Sequence, residues 1–276
     1  MSFKKSALFI CASILCIHST HAHYPFVAPL NYQNFNNQSA IIAGFYDNPF
    51  ASEVQIKNFQ FHIISPNGTK TEIQEKDWIH AGSLSNYNLN HREDGSYRIQ
   101  GTRHAQSSQF ANVNGQWKTL LPNQPNKTKP TPEHVIFKHQ LKPNAVVKTV
   151  QTQEVIETVI SRRAITNRAL AITGKGFEIE FISHPNAIKI NQPVQLRLLN
   201  NGKPIADTEV KLFAQTHDFS RNATQASYRT NANGEFNFIL TQKDQYLLKV
   251  DYQEPFNTPE QELNRYKYTL SFNAIQ

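Results

Sequence analysis

Beyond residue 17 the chain has no cysteine, no methionine and no long apolar run. Each absence excludes something. Without thiols there is no disulfide framework, no thiolate metal centre and no cysteine nucleophile. Without a second apolar run of about 20 residues there is no membrane-crossing helix. The formal charge is +7 and the pI about 9.3, yet no block of five or more basic residues occurs. Scattered lysines and arginines make a basic surface, not a nucleic-acid footprint. No segment of useful length carries the helix period, which removes helix bundles. Gly-x-Ser-x-Gly, a phosphate-binding loop, Gly-x-Gly-x-x-Gly and His-Glu-x-x-His are all missing, so the chain is not read as an enzyme.

What is present begins with export. Lys4 and Lys5 precede the apolar stretch Ala7 to Ile17, which is too short to span a bilayer. Thr20-His21-Ala22 follows, with small residues where signal peptidase requires them. The expectation is a signal peptide over 1–22, a periplasmic protein starting at His23, and no membrane span after cleavage. Both cysteines, Cys11 and Cys16, leave with the signal, and the charge falls to +5 with Lys4 and Lys5 gone.

Phe 18 and Tyr 10 in 276 residues, with short apolar runs between turn residues, point to an all-β protein. Alternating runs at Ala40–Tyr46, Val54–Ile64 and Tyr97–Gly101 read as strands. Ser65-Pro66-Asn67-Gly68 reads as a turn, and Asn114-Gly115 as a hairpin tip within Phe110–Leu121. Residues 121–143 are rich in Pro, Asn and Lys and read as an excursion, after which Val155–Ile165 restores the strand pattern. A second unit is expected from residue 174. It has strands at Phe177–Ile182 and Val210–Phe213, turns at Asn201-Gly202 and Asn233-Gly234, and two closing strands. About seven short strands at regular spacing predict an immunoglobulin-like sandwich over 174–276, behind an N-terminal sandwich over 23–173. Glu178 and Glu180 lie on one strand face and read as solvated.

"GKPIADTEVKLF" followed by "TNANGEFNF" resembles the carboxypeptidase-regulatory and transthyretin-like β-sandwich modules. That pattern bears on fold and carries little about function. The chain as a whole resembles an exported bacterial family catalogued as a domain of unknown function. That family is linked to the periplasmic component of nickel/cobalt uptake. The residues that carry the likeness are "AHYPF", "EDGSYRIQGTR", "NGQW", "ETVISRRA" and "ISHPNAI", in that order. The start His-Tyr-Pro-Phe departs from the family version in which Trp or Phe follows sooner. The resemblance implies metal handling, with nickel or cobalt as the cargo and an inner- or outer-membrane transporter as the receiving partner.

A chain cut after Ala22 offers the α-amine and imidazole Nδ1 of His23 to one metal. The amine has an ordinary pKa near 8, so a metal competes with its proton at neutral pH. Such nitrogen donors suit Ni²⁺, Co²⁺, Cu²⁺ and Zn²⁺. Pro25 has no N–H, so the chelate that uses the third backbone amide is excluded. Further ligands must come from elsewhere. His104, at the end of "YRIQGTRH", and His80, after Trp78, are the candidates; the remaining histidines form no tight pair. Two other readings stand beside this one. A copper oxidase could use His23 and a second His as a histidine brace. A sandwich pair could also serve only to bind another envelope protein.

Overall fold

The structure is a computed structural model, and it describes residues 24–123, 132–215 and 226–276. The described residues form β-strands joined by turns and three short 3₁₀ segments. No helix among them is long and apolar enough to cross a membrane.

The organising element is one strand, Val147–Arg162. Its even positions Ile156 and Ile160 belong to one apolar core, and Val155 belongs to another. Successive strand side chains point to opposite faces, so this strand supplies both cores at once. Along one edge it pairs antiparallel with Gly95–His104 and Ser108–Val113. Along the other it runs parallel to Glu262–Asn273 over ten residue pairs, Thr149 with Glu262 through Thr158 with Ser271. The boundary expected at 173/174 therefore separates segments whose strands are hydrogen-bonded in a single sheet.

The first core lies between that sheet and a smaller one. The smaller sheet runs Tyr24–Pro29, Gln38–Tyr46, Leu84–Asn90, Ile79–Ala81 in space. Val27, Ile41 and Ala43 meet Phe61, Ile99, Ile156 and Ile160. Phe61 stacks near Trp78 with ring centroids 4.6 Å apart. Gly101 is paired with Phe61, and a Cβ there would meet the Phe61 ring at 2.5 Å. A side chain at this position would drive the ring off Trp78.

The second core has the topology of an immunoglobulin or fibronectin-type sandwich. Phe177–Phe181, Pro193–Asn200 and Glu235–Ile239 form one layer; Glu262–Asn273, Gln245–Gln253, Glu209–Ala214 and Ala226–Arg229 form the other. Tyr246 opens the strand Gln245–Gln253, is fully buried, and donates its hydroxyl to Gln242 O at 2.8 Å. This is the tyrosine corner of such sandwiches. Ile205, Val210 and Phe236, from the quoted sandwich pattern, are buried in this core.

The predicted turns occur where expected. Asn114-Gly115 and Asn201-Gly202 both have positive φ at both positions and join paired strands, the two-residue type I′ arrangement. Gly68 N donates to Ser65 O at 2.8 Å. Within the 121–143 excursion Val135–Phe137 pairs parallel with Thr119–Leu121. Glu178 is a correction. It is 6% exposed, and its carboxylate accepts the N–H groups of Thr173 and Gly174, both at 2.7 Å. Glu180 is half-buried and pairs with Arg197 at 2.8 Å. Strand alternation predicts a solvated face here; the preceding loop folds back and uses the charge instead.

Candidate functional site

The strand Tyr24–Pro29 is held in an unusual way. One edge pairs with Gln38–Tyr46, Tyr24 opposite Tyr46 and Pro25 opposite Phe45. Pro25 and Pro29 lack N–H groups, which suits a strand laddered on one side only. On its other side hydroxyls replace the ladder: Thr269 Oγ1 donates to Pro25 O at 2.8 Å and Ser271 Oγ to Val27 O at 2.6 Å. Phe26 and Ala28 pack on Phe213 and Leu247, while Val27 enters the first core. With both faces buried, the strand delivers Tyr24 to one fixed end of the first sandwich.

That end is crowded with charge. The Lys249 ammonium lies 3.0 Å from the centroid of the Tyr24 ring. Arg265 holds Asp251 through two bonds of 2.7 and 2.6 Å. Arg103 lies over the Phe45 and Phe59 rings at 4.9 and 5.0 Å and donates to Glu154 at 2.7 Å. Burial, then the charges of Lys211 and Lys267 against the opposing Asp251, pull Lys249 down to about 7. Burial first, and then Asp251, pushes the Tyr24 phenol up. None of these residues is legible as a site in the sequence, because they come from strands scattered between Tyr24 and Arg265.

His23, the first candidate ligand, lies outside the described residues. His104 ends the strand Gly95–His104 and is exposed. Its neighbour Arg103 points into the first core, towards Phe45 and Phe59, so His104 faces the opposite side of the sheet from Tyr24. His80 is on the exposed strand Ile79–Ala81. It pairs with Ser85, Ser85 with Ala43 and Ala43 with Val27. Three strand spacings and three residues along the strand then separate its Cα from that of Tyr24, about 17 Å. The His80 ring contacts Ser85 Oγ at 2.8 Å and the Glu75 carboxylate at 3.3 Å. The structure thus brings neither His80 nor His104 to Tyr24. Among the described residues no group of three or more His, Asp or Glu side chains is placed to hold a metal.

His184 illustrates how a suggestive pair fails chemically. Its Nε2 lies 3.1 Å from Ser96 Oγ, a distance a serine nucleophile and its base would show. However, His184 Nδ1 accepts the Asn186 N–H at 3.0 Å, so the ring proton is on Nε2, where Thr166 O accepts it at 3.2 Å. The imidazole cannot take the serine proton. Asn186 Nδ2 bridges Tyr32 O at 3.0 Å and Ser161 Oγ at 2.9 Å, which makes the cluster a buried fastening between the two sandwiches.

A family model described as "Domain of unknown function (DUF4198)" matches residues 20–254. No curated protein sequence matches the chain. Among solved structures, the chain is similar to the D0-D1 domain of intimin at 9% identity, over 91% of this chain and 97% of that one, with a TM-score of 0.23. It is also similar to the chicken CNTN1 FN1-FN3 domains at 9% identity, over 92% and 99%, with a TM-score of 0.26.

Proposed function

The chain belongs to this family of unknown function, and from that premise we infer that it is an exported accessory of metal uptake. It holds one divalent transition ion, nickel or cobalt, at the processed amino terminus and passes it to a membrane transporter. The observation that carries the reading is the clamped strand Tyr24–Pro29. Tyr24 is fixed at one end of the fold, and hydroxyl bonds to Pro25 O and Val27 O hold its strand there. His23 supplies the α-amine and imidazole Nδ1. Pro25 stops the metal from stripping further backbone amides. With His80 and His104 turned elsewhere, the site is a two-nitrogen chelate with the remaining positions left to water. An ion held this way exchanges readily, which is what a handover requires.

A second reading has its own support. The end that receives Tyr24 carries Lys249, Lys267, Arg265 and Arg103 against Asp251 and Glu154. This excess of positive charge disfavours a cation and fits a sandwich pair that binds another envelope component. Two experiments separate the readings. Amino-terminal sequencing of the exported protein must return His-Tyr-Pro-Phe. Growth under nickel or cobalt limitation must then fall in a His23→Ala strain. Equal growth of the two strains favours the second reading.

A further inference from the structure

At the opposite end of the first sandwich lies an open cleft of about 850 Å³. Gln38 and Tyr46 terminate the same strand, so the cleft is about 27 Å from the Tyr24 end. The two sites are independent.

The cleft is lined by amides and guanidinium groups and by no carboxylate. Asn36, Asn37, Gln38 and Asn90 form its exposed walls. Gln38 Nε2 donates to Asn90 Oδ1 at 3.2 Å, leaving the Gln38 oxygen and the Asn90 nitrogen for a ligand. Arg162 is buried; it donates to Asn37 Oδ1 at 2.8 Å and pairs with the half-exposed Asp94, which does not line the cleft. The Asn37 nitrogen is thereby turned outward, and Arg162 Nε has no partner among the described residues. His91 is fully buried in the floor. Its Nδ1 donates to Asn36 O at 3.2 Å, which leaves Nε2 an acceptor without a donor. Burial above all, with the charge of Arg162, holds this imidazole neutral against the opposing bond to Asn36 O. Arg92 is exposed at the rim, and no ion pair engages it among the described residues.

Asn37 in the wall is tied down by His91 N, which donates to Asn37 O at 2.9 Å, and by Arg162. Asn186 Nδ2 donates to Tyr32 O, Gln33 Nε2 donates to Asn186 O, Asn34 Nδ2 donates to Ser39 Oγ, and Arg163 N donates to Asn34 O. The segment 32–34 that leads into the wall is thus held by its own bonds, and a site with fewer groups left to order loses less entropy on binding.

Donors and acceptors alternate around this cleft. An inorganic anion such as phosphate answers the donors and leaves the Gln38 oxygen unmatched. Vicinal hydroxyls answer both, since each donates and accepts. Arg92 adds a partner for one carboxylate. We propose that this cleft is a binding site for an acidic saccharide, a uronate-type sugar whose hydroxyls meet the Asn36, Asn37, Gln38 and Asn90 amides and whose carboxylate meets Arg92.

Saturation-transfer NMR on the chain starting at His23 tests this with methyl β-D-glucuronide, methyl β-D-glucoside and inorganic phosphate. The expected result is transfer to the glucuronide, weaker by about tenfold or more for the glucoside, because a charge-assisted bond is lost. Phosphate should not displace the sugar at equal concentration. Arg92→Ala should abolish the preference for the acid, and Asn90→Ala should weaken both sugars; both sites are exposed and neither change should unfold the protein. No transfer to either sugar at millimolar concentration overturns the proposal. So does full displacement by phosphate, or binding that survives both substitutions. Metal binding at the other end is untouched by Arg92→Ala, so failure here is distinct from failure there.

Discussion

Arg98 and Glu157 form a two-bond ion pair, Nε to Oε1 at 2.8 Å and Nη2 to Oε2 at 2.9 Å, in the interior between the two sandwiches. The side chains are 3% and 0% exposed. Gln100 Nε2 donates a third bond at 2.9 Å to Oε2, and the Arg98 guanidinium lies 5.8 Å from the centroid of the Phe181 ring in the second sandwich. The attraction of Glu157 outweighs burial and raises the Arg98 pKa further. A buried pair of this kind contributes little net stability, but losing one partner strands the other charge. Glu157→Leu or Arg98→Met alone should each cost about 3–5 kcal/mol. The double replacement should recover most of that loss. Urea unfolding of the three variants checks it, and an additive double mutant would contradict it.

Acid should destabilise the fold through His62. Burial first, then the charges of Lys70 and Arg98, lower its pKa from 6.5 to about 4. Between those values the unfolded chain binds a proton that the folded chain refuses. Stability present above pH 6.5 is therefore lost as the pH falls towards 4. His62→Gln should flatten the dependence of the urea midpoint over that interval; an unchanged slope would rule His62 out.

Lys249 acts in the alkaline direction. It titrates at about 7 in the fold and at 10.5 when free. Over that interval the unfolded chain holds the proton and the folded chain does not, so stability rises with pH from about 7 upward. Lys249→Met should remove the rise. Its benefit should be largest below pH 7, where the native protein must carry the desolvated ammonium. Thermal melts across the range decide it.

The clamp on the first strand can be loosened without touching its own residues. Thr269→Val and Ser271→Ala remove the hydroxyls that serve Pro25 O and Val27 O. Each lost bond should cost about 1 kcal/mol or more, since the carbonyl stays buried. Amide exchange of Phe26 and Val27 should accelerate more than that of Tyr246 in the second core. Uniform acceleration would mean that the strand is not separately held.

What could be read in the sequence was local. Asn114-Gly115 and Asn201-Gly202 declare their turns because only residues that tolerate positive φ fit there. The alternation in "GEFNF" and "EVKLF" marks the second core. The strand Val147–Arg162 was legible only in part, because Glu154 and Glu157 interrupt its apolar pattern. Their partners Arg103 and Arg98 lie 51 and 59 residues away, and nothing in the local pattern announces them. The candidate ligands suffered in the same way. His104 can be assigned to a strand end, but its face follows from Arg103 packing on Phe45 and Phe59. The tyrosine corner did carry a signal, a tyrosine opening a strand just after Asp244-Gln245, and it was readable once an immunoglobulin-like sandwich was in view.

The central claim is that a free amine and imidazole at His23 hold the metal. Equilibrium dialysis against Ni²⁺ and Co²⁺ tests it most directly, comparing the chain that starts at His23 with one carrying a single glycine ahead of it. The extension leaves the imidazole and moves the amine out of the chelate. The account predicts binding tighter than millimolar for the first protein and a large loss for the second. Equal binding by both, or none tighter than millimolar by the first, would contradict it.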